Sequence, residues 1–136
     1  MSEPARRFDL TVLPNSFAIV RLSPDANLPD WATTGTFFSV TRTSDELSIV
    51  CVARQVPSGV AAEKGWSALR VAGPFALSEI GVLSALAEPL AKAGVSLFVV
   101  STFDTDYLLV SETQLLAAIA ALKHAGHRIE ENSATS

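Results

Sequence analysis

Two short segments hold most of the groups that could do chemistry. Ser101-Thr102-Phe103-Asp104-Thr105-Asp106 gathers hydroxyls, carboxylates and the carbonyls of a strand end. Groups of this kind accept hydrogen bonds from a polar or cationic ligand. Gly73-Pro74-Phe75-Ala76-Leu77-Ser78 leads directly into a stretch with helical spacing, and Ser78 is a candidate N-cap. The unpaired N–H groups of a helix start, aided by its dipole, suit an anion such as a carboxylate. Gly81 in the first turn would let a ligand approach the backbone, with Phe75 and Val82 beside it, although close helix–sheet packing would also use a glycine. Glu79 could face the same ligand, yet acids are favoured in a first turn with no ligand at all. Asp104 and Asp106 could equally be turn formers with exposed carboxylates.

Catalytic and metal readings are weaker. The single cysteine, Cys51, sits inside an apolar strand and reads as a small buried residue rather than a nucleophile. His124 and His127 flank an expected helix end, and their spacing could suit a metal only if further ligands were near. No triad and no phosphate-binding glycine loop is present. The expectation is therefore no catalytic residue, no metal and no cofactor.

These groups need elements to position them. Strands are expected at Phe8 to Leu13, Ser16 to Leu22, Thr36 to Arg42, Leu47 to Ala53, Trp66 to Ala72, Val95 to Thr102, Tyr107 to Val110 and His127 to Glu130. Ser23 to Gly35 reads as loop with a helical turn near Trp31, and Pro57 to Gly65 as a second loop. Ser78 to Ala93 has Ile80, Leu83, Leu86, Ala87 and Leu90 at helical spacing, with Gly94 as a left-handed stop and Pro89 removing one backbone bond and bending the helix. Ser111 and Gln114 fit a capping box ahead of a helix carrying Leu115, Leu116, Ile119 and Leu122 on one face, ended by Gly126. The nearly continuous apolar run of Val95 to Thr102 predicts cover on both faces.

Composition narrows the partners. The 136 residues are 49% hydrophobic and 18% charged. Their mean hydropathy of +0.34 means either that nearly all of the apolar surface is internal or, the preferred reading, that another subunit covers part of it. A net charge of −4 with no basic run offers neither a nucleic-acid face nor an anionic-membrane face. One cysteine allows no intrachain disulfide, and the start, with Glu3, Arg6, Arg7 and Asp9, does not read as a signal peptide. Together these predict a cytoplasmic protein.

The chain also repeats itself. Residues 37–50 align without gaps on residues 97–110 at a shift of 60, each copy reading strand, acidic turn, strand. Ile19-Val20-Arg21-Leu22-Ser23-Pro24 matches Leu69-Arg70-Val71-Ala72-Gly73-Pro74 at a shift of 50, so the first copy lacks about ten residues where the second has its helix. Two similar hairpins arising by chance is the plainer alternative.

With a strand–helix–strand–strand–helix–strand order in its second half, the chain resembles small bacterial tandem ACT-domain proteins. Thr43-Ser44-Asp45-Glu46-Leu47-Ser48-Ile49 is similar to the segment between the second and third strands of aspartokinase ACT domains. Gly81 to Tyr107, with Ser101-Thr102-Phe103-Asp104-Thr105-Asp106 at its heart, resembles the ACT regions of the CASTOR arginine sensors. The resemblance implies an α+β fold of ferredoxin-like ACT βαββαβ units in tandem, antiparallel sheets with helices on one face, and a degenerate first unit. It implies boundaries of 8–65 for the N-terminal unit, 66–130 for the C-terminal unit and 131–136 for a flexible tail. It further implies a homodimer, and an allosteric small-molecule ligand, an amino acid, held at an interface between ACT units. Phe75, Ser78, Glu79, Gly81, Val82, Ser101, Thr102, Phe103, Asp104 and Asp106 are the expected ligand-binding set. Asp106 lies where a carboxylate meets the ligand's cationic group, whereas Asp104 departs from the usual pattern. The alternative is an ACT-shaped interaction module that takes no ligand and regulates an enzyme or transporter.

Overall fold

A computed structural model describes residues 6–131, so the tail expected at 131–136 lies outside the described residues beyond Glu131. In chain order the elements are β1 (Asp9–Val12), β2 (Phe17–Leu22), β3 (Ser39–Arg42), β4 (Leu47–Val52), β5 (Glu63–Val71), α1 (Val82–Lys92), β6 (Phe98–Ser101), β7 (Asp106–Ser111), α2 (Leu115–His124) and β8 (Arg128–Glu131). The chain divides into a larger unit, built from the stretch up to Pro14 and from Ser67 onward, and a smaller one, Asn15–Trp66. The grouping expected from sequence placed β1 with the smaller unit. In the structure Leu10 and Val12 are buried with Leu69, Leu86, Leu90 and Leu108 of the larger one.

In the larger unit β1 pairs antiparallel with the end of β5, Leu10 opposite Val71. β7 joins β5, and β6 pairs antiparallel with β7. β8 is the exception to the antiparallel rule: it runs parallel to β1, with Leu10 opposite Ile129. Both α-helices belong to this unit. α1 buries Val82, Leu86 and Leu90 at four-residue steps, and α2 buries Ala118, Ile119 and Leu122. Each such leucine removed from water stabilises the fold by about 1.5–3 kcal/mol. Leu116, expected on that apolar face, is 79% exposed, because it lies a quarter-turn away from the buried stripe.

Pro89 sits inside α1 and has no N–H for the carbonyl of Ala85, four residues back. His127 supplies the missing donor. Its Nδ1 accepts the Phe8 N–H at 3.1 Å, which places the ring proton on Nε2, 3.3 Å from the Ala85 oxygen. The two expected caps are not formed. α1 starts at Val82, not Ser78, because Gly81 occupies the N-cap in the left-handed region at φ 87°. The Ser111 hydroxyl pairs with Thr113, and the Gln114 amide donates to the Gly94 carbonyl, so neither closes a capping box. Gly94 and Gly126 end the helices at φ 75° and 99°, as expected.

The smaller unit is a sheet with β4 between β3 and β2, and β2 also meets the start of β5. No α-helix covers it among the described residues. A short 3-10 turn at Asp30–Thr33 buries Ala32 against Val20, Leu47, Ile49 and Cys51. The loop that carries it is held by side chains. Arg42 donates to the carbonyls of Pro24 and Ala26, and the Gln55 amide donates to those of Trp31 and Thr34.

The two hairpins share a turn, and it corrects the repeat. Ser39 faces Val50 in one, and Phe98 faces Leu109 in the other. In both, a threonine N–H donates across the turn, Thr43 to Glu46 at 2.9 Å and Thr102 to Thr105 at 2.8 Å. Thr43 therefore corresponds to Thr102, a shift of 59 positions rather than 60. Because side chains alternate, that single step moves every residue of the earlier alignment to the opposite face.

Candidate functional site

The 73–106 region of the larger unit forms a cleft of about 680 Å³. One wall is the segment from Phe75 through the first turn of α1, and the other is the Ser101–Asp106 hairpin end. Every member of the expected ligand-binding set except Ser78 lines it: Phe75, Glu79, Gly81, Val82, Ser101, Thr102, Phe103, Asp104 and Asp106. Ser78 lies in the exposed turn before α1 and caps nothing. Sequence reasoning missed Ala76, Leu77, Leu83, Ser84, Ala87 and Thr105 in the lining, though Leu83 and Ala87 follow from helical spacing once Gly81 is placed at the N-cap.

Backbone contacts hold the two walls together. The Phe75 N–H donates to the Asp104 carbonyl at 2.8 Å, and the buried Thr105 hydroxyl donates to the Val71 carbonyl at 2.6 Å. Gly73 makes this approach possible, since a Cβ there would stand 2.9 Å from the Asp104 oxygen. Gly81 has room on its side chain's side; its backbone conformation is what requires glycine.

Three carboxylates, Glu79, Asp104 and Asp106, line the cleft, and among the described residues no basic side chain does. Glu79 is not free, because its carboxylate pairs with Arg6 at 2.9 Å. Asp106 is half-buried and Asp104 exposed. The first intrahelical bond of α1 runs from the Ala85 N–H to the Gly81 carbonyl, which leaves the N–H groups of Val82, Leu83 and Ser84 at the mouth of the cleft. The cleft thus offers acceptors on one wall and backbone donors on the other. Its rim is apolar, with Leu77 71% and Phe103 75% exposed, and Ile80 beside it in the chain before α1 is 86% exposed.

The other candidate centres are accounted for structurally. Burial pushes the Cys51 thiol up from its ordinary value, which keeps it protonated and a poor nucleophile. His127 is committed to Phe8 and Ala85, and no cluster of three metal-ligating side chains exists among the described residues. A wider groove of about 940 Å³ on α1 and α2 is floored by alanines such as Ala85, Ala117 and Ala121, without the convergent acceptors of the cleft. β6 also departs from expectation: Leu97 and Val99 pack on the core, while Val100 stays half-exposed, so cover comes from one face.

Residues 61–124 match the model of the ACT domain, and residues 15–59 match that of a separate N-terminal domain. The chain is 31% identical over 96 residues to the human cytosolic arginine sensor for mTORC1 subunit 1, covering 65% of this chain and 29% of the sensor. It therefore spans less than a third of the curated relatives' length. Among solved structures, protein Atu0741 of Agobacterium tumefaciens superposes with a TM-score of 0.89 at 43% identity, covering 94% of this chain and 96% of that one. Aspartate kinase from Clostridium acetobutylicum superposes at 0.63 with 12% identity, covering 85% of this chain and 33% of the kinase, a likeness of fold.

Proposed function

Residues 61–124 belong to the ACT-domain family, and from that premise we propose that the chain is a non-catalytic cytoplasmic regulatory protein that binds an amino acid in the 73–106 cleft. The observation that carries the reading is the convergence of acceptors and backbone donors on one space. A free amino acid presents an ammonium and a carboxylate, and Asp106 and the first turn of α1, with its unpaired N–H groups, both line the cleft. In this reading Asp106 takes the cationic group, and a second ACT unit, supplied by a homodimer partner, closes over the apolar rim. Ligand binding to the paired form would stabilise it by mass action, which is how the signal leaves the site.

Titration calorimetry against the twenty amino acids tests this. At least one should bind, and Asp106→Ala should weaken that binding more than tenfold, about the loss of one charge-assisted hydrogen bond. No heat at millimolar ligand with folded protein overturns the sensor reading. The exposed Leu77, Ile80 and Phe103 favour the second reading in that event, a ligand-free module docking on an enzyme or transporter. Sedimentation should show a dimer.

A further inference from the structure

The cleft's loop wall has little to hold it in place. From Phe75 to Ile80 the chain forms no helix or strand, and most of these residues are exposed. Its own backbone bonds are the Phe75 N–H to Asp104 and the Glu79 N–H to Ala76. Arg6, just ahead of β1 and 74 positions from Ile80 in the chain, supplies the rest. Its guanidinium donates to the Ile80 carbonyl at 3.1 Å and pairs with the Glu79 carboxylate at 2.9 Å. The same group lies 4.9 Å over the Phe8 ring, whose edge-to-face partner, at 5.8 Å, is Phe75. Arg6 thus reaches both ends of the wall, one directly and one through Phe8.

We propose that Arg6 is the positioning residue of this cleft and sets its charge selectivity, holding the 75–80 wall and withdrawing one of three carboxylates from the ligand. With Glu79 neutralised, the ligand meets Asp104 and Asp106 alone. An exposed ion pair by itself contributes little to stability. The effect of Arg6 is local, because one side chain joins a carboxylate and a neighbouring backbone carbonyl of the 75–80 wall to the ring of Phe8, beside its own position in the chain. Freed from Arg6, Glu79 would add a negative charge at the cleft and shift preference toward ligands of higher positive charge. The selectivity half of the proposal rests on the amino-acid-binding reading; the positioning half does not.

Hydrogen–deuterium exchange on the ligand-free protein tests the positioning half. Arg6→Ala should speed amide exchange across residues 76–84 by roughly three- to tenfold, the factor expected from losing one or two modest hydrogen bonds. Exchange in β4 and β7 should not change, and Arg6→Lys should restore part of the protection. Unchanged exchange in 76–84, or a uniform rise over the whole chain, overturns it. The selectivity half is read as the ratio of lysine to leucine affinities by calorimetry. Arg6→Ala should raise that ratio severalfold, and Arg6→Ala/Glu79→Gln should return it to the starting value. An unchanged ratio in a variant that still binds overturns that half. If the unaltered protein binds no amino acid, the ligand reading falls while the exchange result still decides the role of Arg6.

Discussion

The turns at Thr43–Glu46 and Thr102–Thr105 use the same hydrogen bonds, and the second forms a wall of the 73–106 cleft. In both, the threonine hydroxyl accepts a backbone N–H three residues on, from Glu46 at 3.2 Å and from Thr105 at 3.2 Å. Both carry aspartate third, Asp45 and Asp104, and differ in what meets its carbonyl. The Asp45 oxygen accepts from the Arg21 guanidinium, a side chain of the neighbouring strand β2. The Asp104 oxygen accepts from the Phe75 N–H, which draws a loop and then a helix start up to the hairpin. The turn is thus a structural module shared by both units. What makes a cleft is the segment docked on it, and in the smaller unit the corresponding stretch is a short loop fastened by Arg42.

Substitutions can break or sharpen this comparison. The largest effect belongs to the larger unit's long-range ties. His127→Leu removes the partners of the buried Phe8 N–H and the part-buried Ala85 carbonyl and should cost about 2–6 kcal/mol in urea unfolding, at about 1–3 per group left unpaired. Pro89→Ala restores an N–H to Ala85, so in the His127→Leu background it should recover part of that loss. Additive effects would dissociate the histidine from the proline. Next, Gly73→Ala sets a Cβ against the Asp104 oxygen and should cost about 1–3 kcal/mol, with NMR shift changes concentrated at 102–106. Thr43→Ala and Thr102→Ala should each cost about 0.5–1.5 kcal/mol. A large difference between them would end the claim that the turns are equivalent. The smallest effect is expected of Phe103→Ser, which copies Ser44 into the larger unit's turn. Its melting free energy should stay within about 0.5 kcal/mol, whereas amino-acid affinity should fall.

Much of the site was legible in the sequence because its parts are local. Asp104 and Asp106 belong to one turn, and Phe75 to Val82 form one approach to a helix. Gly94 and Gly126 stop their helices through backbone freedom that can be read directly from residue type. What was not legible depends on distance or on one residue of register. Arg6 carries no local mark of its role, since its partners are 73 and 74 positions away. Ser78 looks like a cap because its chemistry fits one, but the left-handed glycine at Gly81 starts the helix later. The shift of 60 scored well because apolar strands tolerate a slip of one, and only the hydrogen bonds of the turns fix it at 59. The placing of β1 required knowing which core Leu10 and Val12 enter, which alternation along a strand does not disclose.

That placing of β1 governs the order in which the chain can fold during synthesis. β1 leaves the ribosome before the other described strands, but its partners, the end of β5 at Leu69–Val71 and β8, come after the smaller unit and after α2. The smaller unit, contiguous and built from near-neighbour strands, can close while β1 waits with its apolar side chains exposed. The larger unit is completed when β8 pairs beside β1, joining the two ends of the described chain. No single cut therefore separates the two units: a break at 66/67 leaves β1 on the wrong fragment, and a piece beginning at Ser67 would lack a strand of its own sheet.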